Sequence, residues 1–252
     1  MKLMSLNTVT LEAEEVLNEL LQIDAEGIAF EIPGVWLDKH YDLCLKVSHE
    51  KSIVGVVHPF EPSLVENVDL LNENQREQAL DLGVRTIKQI RDLGADYCVM
   101  RGGIKRGEFG FEDNESPMMT FYQQFLERSN GFGTKLYLPI SQRAYRNGSS
   151  DMRESLYLCN QLMHPRMALR MTHFPLEEGL HLEGMMKALF FNLDQFRLTW
   201  DEVVGTELTK EKVEKIQDDF ADNAFHGRLV YAPVLHTLDC LSDRIEQIKS
   251  FR

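Results

Sequence analysis

The stretch Gln75–Gly103, QREQALDLGVRTIKQIRDLGADYCVMRGG, decides the fold. Its first part sets Leu80, Val84, Ile87, Ile90 and Arg91 at helical spacing, with charges between them, and predicts a helix over Gln75–Leu93. Gly94 follows, a residue that tolerates the left-handed turn with which many helices end. Then comes a short apolar run, Tyr97–Arg101, of strand length, and it closes on a glycine pair. The stretch is one helix feeding one buried strand.

The same unit recurs along the chain. Apolar runs fall at Lys2–Asn7, Ile28–Ile32, Ile53–His58, Tyr97–Arg101, Lys135–Ile140, Met167–Met171, Lys187–Asn192 and Arg228–Val234. Amphipathic runs fall at Leu11–Asp24, Leu37–Val47, Gln75–Leu93, Pro117–Arg128, Met152–Met163, Leu176–Met186, Thr209–Ala221 and Leu238–Phe251. Strands that alternate strictly with helices form a parallel sheet, either closed or open. Eight units favour an α/β protein built as one (β/α)8 TIM barrel, a single domain over residues 1–252. No GxGxxG follows the first strand, which argues against an open dinucleotide-binding sheet. Thr10 is placed to cap the first helix, and Ser116-Pro117 reads as cap and first turn of the fourth. Gly27, Gly94 and Gly133 sit between helix ends and strands.

Composition narrows the function classes. Of 252 residues, 43% are hydrophobic, enough for a large core, and the net charge of -13 repels phosphate backbones and anionic lipid. Nucleic acid and membrane are therefore poor partners; association into homo-oligomers stays open. The four cysteines, Cys44, Cys98, Cys159 and Cys240, lack metal-ligand spacing and read as reduced thiols. No run approaches the roughly 20 apolar residues of a membrane span, and no signal peptide is evident, so the expected location is cytoplasmic.

Strand parity then sorts side chains. In the sixth strand Met167, Leu169 and Met171 suit the helix interface, which turns Ala168 and Arg170 inward. The same logic pairs Ala29 with Glu31, Val56 with His58, Val99 with Arg101, Ala188 with Asn192, and Ala232 with His236. Each polar member falls at the C-terminal end of its strand, the rim where barrels carry their sites. Two loops, Arg101–Gly107 (RGGIKRG) and Gln142–Gly148 (QRAYRNG), add Arg101, Lys105, Arg106, Arg143 and Arg146 to that rim. Such cations and glycine amides can cradle phosphate or carboxylate. The plainer readings are solvated loops, and a Glu31–Arg170 ion pair that satisfies itself.

Gly27-Ile-Ala-Phe-Glu31, Val56-Val-His58-Pro59, Asp92-Leu-Gly-Ala95 and Leu169-Arg-Met-Thr-His173 resemble strand signatures of the xylose-isomerase-like barrels. That superfamily holds sugar and sugar-phosphate isomerases and epimerases and an apurinic endonuclease branch. The resemblance implies a divalent metal held by carboxylates and histidines of strands five to eight. This chain departs from the pattern. Strand five ends Leu138-Pro-Ile-Ser141-Gln142, Arg170 takes the place of an Asp, and strand eight ends Val234-Leu-His236. No cofactor is therefore expected, with His58, His173 and His236 as the remaining candidates for a different metal.

Three functions follow. As an isomerase or epimerase on a small polyhydroxylated, anionic metabolite, the chain uses Glu31 as base and His58 or His173 as acid. Arg101, Arg143, Arg170, Asn192 and His236 then bind substrate, and Arg170 stabilises enediolate-like charge. The second reading is a barrel that binds a metabolite or protein and has lost the chemistry. The third, nucleic-acid repair, is opposed by the charge.

Overall fold

The structure is a computed structural model that describes residues 1–6, 11–59, 72–100, 111–141, 150–173, 189, 192–203 and 205–251. Eight strands close into a barrel in sequence order, every neighbouring pair parallel. They are β1 (Lys2–Ser5), β2 (Ile28–Pro33), β3 (Ser52–Val57), β4 (Tyr97–Val99), β5 (Lys135–Ser141), β6 (Met167–His173), β7 (Leu193–Trp200) and β8 (Arg228–Pro233). Seven α-helices are seen among the described residues: α1 (Ala13–Gln22), α2 (Gly34–Glu50), α3 (Glu73–Asp92), α4 (Phe111–Arg128), α5 (Ser150–Leu162), α6 (Lys210–Asp222) and α7 (Asp239–Ser250). The predicted helix Leu176–Met186 lies outside the described residues.

Two apolar clusters form the core. The larger fills the layer between helices and sheet, with Phe30, Val56, Leu169, Met171, Phe196, Leu198 and Trp200 facing it from the strands. The smaller fills the barrel: Leu3, Ala29, Val57, Tyr97, Val99, Tyr137, Ala168 and Val230. The parity assignments of β2, β4 and β6 hold. Ala29, Val99 and Ala168 face inward, while Met167, Leu169 and Met171 meet the helices.

Several local expectations need correction. In β3 the faces are reversed: Val56 packs on the helices and Val57 points inward. The β2–β3 register slips between Phe30 and Glu31, and such an irregularity exchanges the two faces of a strand. Gly55 shares the inward face, and a Cβ there would lie 2.2 Å from the Tyr97 ring. His58 falls just past β3 with φ 54, so strand alternation no longer governs it. β7 is not Lys187–Asn192 but Leu193–Trp200. There alternation places Phe196, Leu198 and Trp200 outside, and its other face is polar.

Helix starts also differ. α1 begins at Ala13, with Glu12 at the cap position and no side-chain bond, whereas Thr10, expected to cap this helix, lies outside the described residues. α4 begins at Phe111, which puts Ser116-Pro117 inside it. α2 begins directly after β2, at Gly34, where a Cβ would stand 2.3 Å from the His58 carbonyl oxygen. A glycine is thus what lets α2 leave the sheet against the end of β3.

Candidate functional site

The barrel interior is crossed by an ion pair. Arg170 of β6 and Glu31 of β2 stand four strands apart, on opposite walls. Arg170 Nη1 donates to Glu31 Oε2 and Nη2 to Oε1, both at 2.7 Å. The Tyr97 hydroxyl, from β4, donates to Oε2 at 2.9 Å. Both charged side chains are buried. Small inward residues, Ala29, Ala168 and Gly55, make the space for this strut and for Tyr97.

The electrostatics follow from the fork. Burial alone would raise the Glu31 pKa, but the two bonds and charge of Arg170 overcome it and hold the carboxyl down to about 2. Arg170 is raised in turn, although burial opposes it. Burial and the neighbouring Glu31 charge push Tyr97 well up, so its hydroxyl stays a donor. Below the strut, Tyr137 packs edge-on against Tyr97 with centroids 5.2 Å apart. Its hydroxyl donates to Asp194, which also takes Lys135 Nζ at 2.7 Å. These groups close the N-terminal end of the barrel.

Toward the C-terminal end the inward face of β7 takes over. Gln195 pairs with Arg170 in the ladder, is fully buried, and neither its Oε1 nor its Nε2 has a hydrogen-bond partner among the described residues. Arg197 is one inward position nearer the rim, opposite Thr172 of β6 and Val230 of β8. Its Nε is buried and likewise unpartnered. Burial and the adjacent Arg170 charge lower its pKa to about 10, partly offset by Glu31. The next inward residue, Thr199, has a buried hydroxyl without a partner among the described residues. At the rim, His236 Nε2 lies 2.9 Å from Asp201 Oδ1, which also accepts the Val203 N–H at 3.0 Å.

The residues singled out from sequence fare differently. Glu31 and Arg170 are brought together, as the ion pair that satisfies itself. His58 is half-buried, and its backbone N–H donates to the Val99 carbonyl at 2.8 Å. His173 ends β6 opposite Leu198, with its side chain outside the described atoms. Asn192 precedes β7 at the N-terminal end, away from the rim, and donates to Asn160 Oδ1 at 2.7 Å. His236 stands past β8 at the rim. Arg101, Arg143, Lys105, Arg106, Arg146 and Ala188 lie outside the described residues. Sequence reading missed Gln195, Arg197, Thr199 and Asp201. The alternation of Gln195-Phe-Arg197-Leu-Thr199-Trp200 is the signal that could have found the first three.

The described inward side chains of β6, β7 and β8 do not suit a divalent metal. At these positions β6 offers Arg170, β7 offers Gln195, Arg197 and Thr199, and β8 offers Ala232. Among the described residues no three His, Cys, Asp or Glu side chains cluster as ligands. A hard cation needs several oxygen ligands, and two guanidinium groups would repel it.

The same closed barrel fold is found in solved structures of sugar epimerases and of an endonuclease. The 3-keto-D-glucoside 4-epimerase of E. coli superposes with a TM-score of 0.70 at 12% identity, covering 99% of both chains. The D-psicose 3-epimerase of Clostridium cellulolyticum H10, solved with D-tagatose, gives 0.67 at 11% identity, covering 98% of this chain and 90% of that one. A family 2 AP endonuclease from Brucella melitensis gives 0.64 at 10% identity, over 91% and 92% of the chains. At these identities the likeness is one of fold. No protein-family model and no curated protein matches the sequence. No helix among the described residues is long and apolar enough to cross a membrane.

Proposed function

We propose that the protein is a cytoplasmic, metal-independent sugar isomerase or epimerase. Its substrate is a small polyhydroxylated, anionic metabolite bound at the C-terminal mouth of the barrel. The observation that supports this most is the inward face of β7, where Gln195, level with Arg170, and Thr199, nearer the rim, offer buried hydrogen-bonding atoms. Buried polar atoms without partners are costly, and hydroxyl-rich ligands supply partners. The epimerase folds nearby in structure support the same class.

The chemistry must differ from the simplest expectation. A carboxyl held near 2, with both oxygens engaged, is a poor base for a carbon acid at neutral pH. Glu31 serves better as a fixed counter-ion for Arg170. Proton transfer then falls to the histidines that follow β3 and end β6, His58 and His173. Arg101 and Arg143, on the loops after β4 and β5, remain candidate ligand contacts. A nucleic-acid substrate is opposed by the net charge of -13.

The test is solvent deuterium incorporation, followed by proton NMR over aldoses, ketoses, their phosphates and sugar acids, with and without EDTA. Exchange beside a carbonyl, indifferent to EDTA and lost in His58→Asn or His173→Asn, supports the reading. Dependence on metal overturns its metal-free part. The closed Glu31–Arg170 pair favours a second reading, a binding barrel without catalysis. Saturable binding with no exchange in any compound would select it.

A further inference from the structure

We infer that Arg197 is the receptor for a single carboxylate on the ligand, so that the metabolite is a sugar acid rather than a neutral sugar or a sugar phosphate. The inference rests on the reading of a polyhydroxylated ligand at the mouth and names its charged group. Charge balance carries it. The described interior holds three fixed charges: Glu31, Arg170 and Arg197. The tyrosines stay neutral, and Lys135 and Asp194 cancel each other at the far end. Glu31 is spent on Arg170 through both of its oxygens. Among the described residues Arg197 is left with one uncompensated positive charge on the inward face, and its buried Nε has no hydrogen-bond partner.

A charge so placed is unfavourable until an opposite charge joins it. Burial and the Arg170 charge already make the guanidinium a weaker cation than usual. A bound monoanion relieves both. A carboxylate matches the guanidinium fork with two parallel bonds and brings the group of three charges to neutrality. At Arg197 itself a phosphate dianion overshoots the balance of the three described charges. The neighbours suit the rest of such a molecule. Gln195 and Thr199 flank Arg197 on the same strand face, offering an amide donor, an amide acceptor and a hydroxyl to sugar hydroxyls.

The experiment titrates labelled protein with D-gluconate, D-glucuronate, glycolate, D-glucose and inorganic phosphate. It follows the Nε–H resonances of Arg170 and Arg197 and measures heats by calorimetry. The expected result is a saturable shift of the Arg197 signal with at least one sugar acid, stronger than with phosphate and absent with glucose. Arg197→Gln should weaken that binding by about thirtyfold or more. Arg197→Lys, which keeps the charge and loses the fork, should fall between. A cooperative thermal transition in Arg197→Gln, no more than about 4 °C below that of the wild type, shows that the fold is intact. No saturable shift with any carboxylate, or phosphate binding more tightly than the sugar acids, overturns the inference. The two readings fail separately. Carboxylate binding without deuterium exchange removes the isomerase and keeps the receptor, whereas exchange on neutral sugars that Arg197→Gln leaves alone does the reverse.

Discussion

Arg170 and Arg197 stand on neighbouring strands, one inward position apart, in the same barrel. Arg170 is buried and meets a carboxylate through both arms of its fork, with a tyrosine hydroxyl completing the carboxylate. Arg197 has the positive charge and the inward position but no such partner among the described residues. The difference separates two uses of one residue type. A fully buried cation with a dedicated counter-ion belongs to the architecture; a half-buried one that the described residues leave without a counter-ion is open to another use. Sequence motifs cannot tell these apart, because both arginines sit in similar alternating strands. Geometry can.

The largest expected effect breaks the satisfied pair. Glu31→Gln keeps the volume and removes the charge, leaving the Arg170 guanidinium buried opposite a neutral amide. The expected loss of folding stability is about 3–5 kcal/mol, read from urea denaturation. Arg197→Gln should cost less than about 1 kcal/mol or add stability, since it removes an unneutralised cation. Equal losses in the two variants would erase the distinction between the arginines.

Acid titration sharpens the same contrast. The Glu31 carboxyl is held at about 2 in the folded protein against an ordinary 4.5. A depressed pKa contributes stability above the ordinary value, and that contribution fades as pH falls toward the folded one. Between about pH 4.5 and 2 the wild type should therefore lose about 3 kcal/mol through this group. A Glu31→Leu/Arg170→Met double variant should show a shallower decline, with neutral-pH stability close to wild type. Parallel acid profiles would mean that other carboxylates govern the transition.

The eightfold alternation was readable because apolar strands and amphipathic helices differ in period. Glu31 and Arg170 were readable for a related reason: Ala29 and Ala168 are the small partners in their strands, so parity sent the long polar residues inward. β7 was not readable in that way. Its inward face carries Gln195, Arg197 and Thr199, whereas the apolar run just upstream, Lys187–Asn192, looks more like a buried strand. A strand whose inward face is polar lacks the apolar run of a core strand, so the hydrophobic signal points away from it. In β3 the failure was local. A register slip at Phe30/Glu31 reversed the faces, and no residue type announces a slip. The pairing of Asp201 with His236 joins two loop positions 35 residues apart, beyond any spacing rule.

That rim pair supplies the smallest expected effect, and it sets the scale for the interior. His236 and Asp201 meet at 2.9 Å, the same kind of contact as Arg170 with Glu31, yet their side chains keep 36% and 18% of their exposure. Water can replace either partner, so Asp201→Asn should cost about 1 kcal/mol or less. The remaining anchors of the loop stay in place: the Thr206 hydroxyl still donates to the Asp201 carbonyl at 2.7 Å, and the amide oxygen still accepts the Val203 N–H. Urea denaturation of Asp201→Asn beside Glu31→Gln compares one kind of bond at two depths. A loss above about 2 kcal/mol at the rim would exceed what exposed pairs contribute. It would place Asp201 and His236 in a region shut off from water, with the mouth closed over them, and the divide between a structural interior and a ligand-facing rim would then lie further out than Arg197.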